Sequence, residues 1–134
     1  MTNFSLVVHQ DAESDLEHIW DDDDKAAAQI AAFLEQAKND QDLMDRMNVH
    51  MRSDDDIDVS RFLEFWHRGC NLWRLKVVSG FGDNSSYRVL YAFDPRIHRY
   101  HILGIVHRNF DYDSGDSRTK RIIKEYGKLD IPRY

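Results

Sequence analysis

Four cationic side chains fall at spacings that a small β-sheet would gather: Arg74 and Lys76, then Arg88, then Arg108. Alternate residues of a strand share a face. Residues 72–78 alternate in this way, so Arg74 and Lys76 project to one side and Trp73, Leu75 and Val77 to the other. In residues 87–93 Arg88 opposes Val89 and Tyr91 in parity, and in residues 100–108 Arg108 shares parity with Val106 and Gly104. One consistent assignment puts Trp73, Leu75, Val77, Val89, Tyr91, Leu103 and Ile105 on a helix-covered face. Arg74, Lys76, Arg88 and Arg108 then converge on the open face. Like charges on one small face repel unless an anion visits, and a cleft lined by one sign of charge concentrates polyanions. The plainer reading of the same pattern is a solvated face, where Arg and Lys are ordinary.

Around these positions the chain changes period. Residues 4–8 form a short apolar run suited to a first strand. Leu16, Ile19 and Trp20 follow at helical spacing, with Asp11 or Ser14 as N-cap. Asp21, Asp22, Asp23 and Asp24 break that helix and supply an anion for the start of the next. Residues 25–38 are rich in alanine and predict a second helix packed closely on a neighbour. Residues 41–48 add a short helix, and the acidic stretch 50–60 reads as loop. Phe62, Leu63, Phe65 and Trp66 read as core, or as a groove for a partner helix. After the three strands, residues 118–128 predict a terminal helix with Ile122, Ile123 and Tyr126 on one side. The expectation is one α+β domain over residues 1–134, with two N-terminal helices packed on an antiparallel sheet and a C-terminal helix.

The chain has 134 residues and a formal net charge of −6. Taken whole, that charge argues against a nucleic-acid binder. Residues 1–58, however, hold 4 Lys/Arg against 16 Asp/Glu, or −12, and residues 59–134 hold 14 against 8, or +6. The basic half is the half that carries the three later strands. No apolar run approaches the roughly 18 residues of a membrane span, and the N-terminus lacks the pattern of a secretory signal. The single cysteine, Cys70, rules out an internal disulfide and reads as a small buried residue. The expected location is the cytoplasm, with no membrane partner.

Three stretches carry a resemblance. Leu72-Trp73-Arg74-Leu75-Lys76-Val77, residues 87–94 (YRVLYAFD) and residues 103–113 (LGIVHRNFDYD) resemble the RelE/ParE superfamily of bacterial toxins, and so does the element order. The resemblance is clear over residues 70–126. It implies a toxin of a type II toxin–antitoxin pair with a RelE-like fold. The implied activity is that of an endoribonuclease, an mRNA interferase that cuts mRNA in the ribosomal A site by 2′-OH attack and so inhibits translation. The implied partners are a cognate antitoxin protein, the ribosome and mRNA; no cofactor is implied. A ParE-like inhibitor of DNA gyrase without nuclease chemistry is the alternative, and an interaction domain that lost activity is a third.

The family's basic positions fall on Arg74, Lys76, Arg88 and Arg108, the residues that parity gathers, and a nearby tyrosine falls on Tyr112. Cleavage by a 2′-OH needs a base, an acid for the 5′-oxygen, and positive charge at the phosphorane. Guanidinium hardly deprotonates, so Lys76 rather than Arg74 is the candidate base. Arg88 and Arg108 are the candidate stabilisers of the non-bridging oxygens, and Tyr112 is the candidate stacking residue. His107 is opposite in parity to Arg108. It reads either as packed beneath the sheet or as a secondary acid or base. His98 and His101 flank a turn without a carboxylate at ligand spacing, so no metal site is expected. Asp111 and Asp113 are assigned salt bridges rather than catalysis.

Overall fold

The computed structural model describes residues 3–54, 57–78, 86–108 and 117–131. The chain begins with strand β1 (Ser5–Val8) and helices α1 (Gln10–Asp22), α2 (Asp24–Lys38) and α3 (Gln41–Arg46). Strand β2 (Ile57–Arg61) and a single turn of helix α4 (Leu63–Trp66) follow. Strands β3 (Leu72–Val77), β4 (Tyr87–Asp94) and β5 (Arg99–His107) precede helix α5 (Ser117–Lys128). The five strands form one sheet in the order β1-β5-β4-β3-β2. The fold is α+β.

The acidic run acts as the sequence requires. Asp23 separates α1 from α2, and its Oδ1 accepts the Ala26 amide at 3.1 Å. Asp40 caps α3 in the same manner through the Leu43 amide at 3.0 Å. Such caps satisfy amides that the first turn leaves without partners. The alanines of α2 are packing residues: Ala26, Ala27 and Ala37 are buried with Ile30, Phe33 and Leu34.

Three expectations are corrected. The sheet is mixed, because β1 pairs parallel with β5 while the other three pairings are antiparallel. The three helices between β1 and β2 supply the long crossover that lets the chain start beside β5 and resume at the opposite edge. Residues 57–60, read as loop, form with Arg61 the edge strand β2, with Ile57 and Val59 buried and the alternate residues more open. The acidic residues just before it mask an alternation only five residues long.

The third correction concerns faces. Trp73, Leu75, Val77, Val89, Tyr91 and Ile105 do belong to the core beneath α1 and α2. Leu103 does not. The register of β4 on β5 jumps from Leu90↔Gly104 to Tyr91↔Ile102, leaving Leu103 as the extra residue of a β-bulge. The bulge turns it to the other face, where it packs with Leu72, Leu90, Ala92 and Val106 under Ile122 and Tyr126 of α5. That face is therefore covered over its apolar half rather than fully open. Gly104 adjoins the bulge where three elements meet: a Cβ there would lie 3.3 Å from Ile122 and 3.4 Å from Arg121 and Asp15.

Candidate nucleic-acid interface

The antiparallel pairing of β2, β3 and β4 sets the site. Ser60 stands opposite Arg74 and Asp58 opposite Lys76, while Arg74 stands opposite Leu90 on its other side. Arg88 pairs with Val106 of β5. The Arg108 amide extends that ladder past the strand end by donating to the Ser86 carbonyl at 2.7 Å. Side chains on one face of neighbouring strands are near neighbours, and the result is one cleft of about 250 Å³. It is lined by Asp58, Ser60, Arg74, Lys76, Arg88 and Arg108. The four cations drawn together by sequence parity do meet in space.

Polar contacts hold Arg74, Arg88 and Lys76 in place. The Arg74 Nε donates to Ser60 Oγ at 3.1 Å. Arg88 Nη1 donates to the Tyr87 carbonyl at 3.0 Å. Lys76 Nζ lies 3.7 Å from Asp58 Oδ2, with the lysine side chain 18% and the aspartate 44% exposed. The cleft opens beside the apolar patch that α5 covers on the same face. A mainly cationic, solvent-accessible cleft can take phosphate groups, and its carboxylate and ammonium can exchange protons with a bound chain.

His107 lies elsewhere. Its ring meets Tyr87 edge-on at 5.5 Å, on the helix-covered side that its parity requires. It stays exposed at the strand end rather than packing beneath the sheet. There it lines a separate cleft of about 530 Å³ with Asp15, His18, Asp21, Asp22 and Arg118. Burial, then the carboxylates of Asp23 and Asp22, push the Tyr87 phenol above its ordinary pKa. Tyr112, Asp111 and Asp113 lie outside the described residues.

Asp58 and Ser60 are the site residues that sequence reading missed. The available signal was the Ile57-x-Val59 alternation, which puts Asp58 and Ser60 on the face opposite the core. The acidic half of the chain is divided in its roles. Asp54 accepts from Arg46, Arg52 and the Ile57 amide, Asp15 pairs with Arg121, and Asp21 and Asp22 line the cleft on the far face. Only Asp58, among the described residues, brings acidic charge into the basic cleft.

His101 has a partner other than a metal: its Nδ1 lies 2.9 Å from His9 Nε2, and His9 Nδ1 lies 4.0 Å from Glu125 Oε2. Among the described residues no group of three or more His, Cys, Asp or Glu is placed to hold a metal ion. No described helix is long and apolar enough to cross a membrane. A scan against protein-family models and a search of curated proteins return no match to the chain.

Proposed function

We propose that the protein is a RelE-like toxin, a ribosome-dependent endoribonuclease that cuts mRNA in the ribosomal A site. The observation that carries this reading is the meeting of Arg74, Lys76, Arg88 and Arg108 in one open cleft. In-line attack by a ribose 2′-OH develops charge on the non-bridging phosphate oxygens. Preorganised guanidinium groups stabilise that charge more than they stabilise the ground state. Arg88 and Arg108 take this role, Arg74 steers the RNA backbone, and Lys76 takes part in proton transfer. Under this reading the ribosome supplies the single-stranded codon in a fixed pose, so that the cleft needs only to meet the scissile phosphate. The partners under this reading are the ribosome, its mRNA and a cognate antitoxin, met in the cytoplasm.

The test is a reconstituted translation reaction with purified toxin, followed by primer extension on the mRNA and a parallel gyrase supercoiling assay. Cuts within translated codons, dependent on ribosomes and leaving 2′,3′-cyclic phosphate ends, support the reading. Intact mRNA with inhibited gyrase would replace it with the ParE-like alternative. Inactivity in both assays would leave an interaction domain.

A further inference from the structure

We propose that Asp58 is the general base of the basic cleft, taking the proton of the attacking 2′-hydroxyl, while Lys76 is the acid that protonates the departing 5′-oxygen. This deepens the ribonuclease reading and rests on it.

The cleft offers few groups for this work. The guanidiniums of Arg74, Arg88 and Arg108 hold their protons at any working pH, and the Ser60 hydroxyl is no base. A carboxylate can take up a proton and an ammonium can give one up. Among the described residues lining the cleft, Asp58 is thus the one carboxylate, the side chain able to accept a proton. Lys76 is the side chain there with a proton it can release. The role of base, assigned to Lys76 on residue type alone, passes to its cross-strand neighbour.

Geometry agrees. Asp58 and Lys76 are directly opposed across β2 and β3, so their side chains leave the sheet side by side with 3.7 Å between Oδ2 and Nζ. Asp58 is the more exposed of the two at 44%, where an incoming chain meets it, and Lys76 is sunk beside it at 18%. A carboxylate in a polyanion cleft weakens binding by repulsion. Asp58 nonetheless stands in strand register with Lys76, within reach of the same bound phosphate.

The step balances. The 2′-oxygen bonds to phosphorus as its proton moves to Asp58. The P–O5′ bond breaks, its electron pair stays on the 5′-oxygen, and that oxygen takes a proton from the Lys76 ammonium. A 2′,3′-cyclic phosphate and a 5′-hydroxyl result. The proton on Asp58 then returns to Lys76, restoring the ion pair. The charged groups facing Asp58 in the cleft are Lys76 and Arg74 of β3, Arg88 of β4 and Arg108 after β5.

The test measures single-turnover cleavage of ribosome-bound mRNA against pH for the wild type, Asp58→Asn and Asp58→Glu. Ribosome binding and thermal melting are followed in parallel. The expected result is a loss of about 100-fold or more in Asp58→Asn at neutral pH, the scale of one general acid–base group. The rise of rate with pH on the acid side should vanish, ribosome binding should be equal or tighter, and Asp58→Glu should recover part of the rate. Asp58→Asn that cuts at the wild-type rate with the wild-type pH profile would overturn the assignment. So would a rate loss in Asp58→Asn explained by lost ribosome binding or unfolding while Asp58→Glu is fully active and shows no acid-side change. A wild type that leaves ribosome-bound mRNA intact would instead overturn the ribonuclease reading and this assignment together.

Discussion

Asp15→Ala should loosen the joint between the first helix, the sheet and the last helix. Asp15 Oδ2 accepts the backbone amide of Ile105 at 3.0 Å and Arg121 Nη2 at 2.8 Å. One carboxylate thus joins α1, β5 and α5 beside the bulge at Leu103. The Asp15 side chain is 14% and Arg121 31% exposed, so water softens the loss at the arginine but less at the carboxylate. Hydrogen bonds to a charged group contribute about 1.5–3 kcal/mol, and a buried amide left unpaired costs about 1–3 kcal/mol. Arg121 keeps Asp11 at 3.6 Å as a second partner, and exposed pairs contribute little. With those discounts the substitution should cost about 2–3 kcal/mol. For a chain of this length that is a fall in Tm of roughly 6–15 °C. Asp15→Asn keeps an acceptor for Ile105 and should cost about 1 kcal/mol. Thermal melting and urea titration at pH 7 measure both, and hydrogen exchange should show α5 opening first in Asp15→Ala. A loss within about 0.5 kcal/mol, the range of an ordinary surface change, would refute this role.

Three further outcomes follow from the core and the charge layout. The Tyr91 hydroxyl donates to the Met47 carbonyl at 2.6 Å and Tyr100 to the Met44 carbonyl at 2.5 Å, so Tyr91→Phe or Tyr100→Phe should each cost about 1–3 kcal/mol in urea titration. Burial pushes both phenols up. Their contribution to stability is therefore whole below the ordinary tyrosine pKa of about 10 and lost as pH rises beyond it; ultraviolet titration should show them ionising only as the chain unfolds. Burial first, then His9 and Arg99, holds the His101 pKa below its ordinary value. Stability from that site is full above about pH 6.5 and falls as pH drops through the lowered value, so His101→Gln should flatten the urea midpoint between neutral and mildly acid pH. If the chain acts on the ribosome as proposed, Asp21→Asn with Asp22→Asn, on the face away from the basic cleft, should tighten ribosome binding only at low salt, because screening removes the long-range term; strong tightening at physiological salt would place these carboxylates nearer the ribosome.

Periodicity carried much of this into the sequence. Arg74, Lys76 and Arg88 could be placed because β3 and β4 are regular strands, and a two-residue repeat assigns faces without knowledge of the partner strands. Arg108 could be placed because it lies on the Arg88 side of the bulge, within an unbroken stretch of ladder. Leu103 was misplaced for the complementary reason: one extra residue inverts parity, and Gly104, the local sign of a bulge, does not say which residue is the extra one. β1 was legible as a strand, but its parallel pairing depends on a crossover that only tertiary packing selects. Asp58 and Ser60 were lost with β2, where Arg52, Ser53 and the aspartates that follow hide a short alternation. The division of acidic charge was equally illegible, since a count of −12 over residues 1–58 does not distinguish the cap Asp23, the hub Asp15 and the cleft residue Asp58.

The most direct measurement is primer extension on actively translated mRNA with the wild type, Arg88→Glu and Arg108→Glu, each matched by a melting curve. If the basic cleft cuts mRNA, the wild type produces breaks within translated codons and both charge reversals abolish them while melting as the wild type does. Intact mRNA with the wild type, or full cutting by both folded variants, would contradict it.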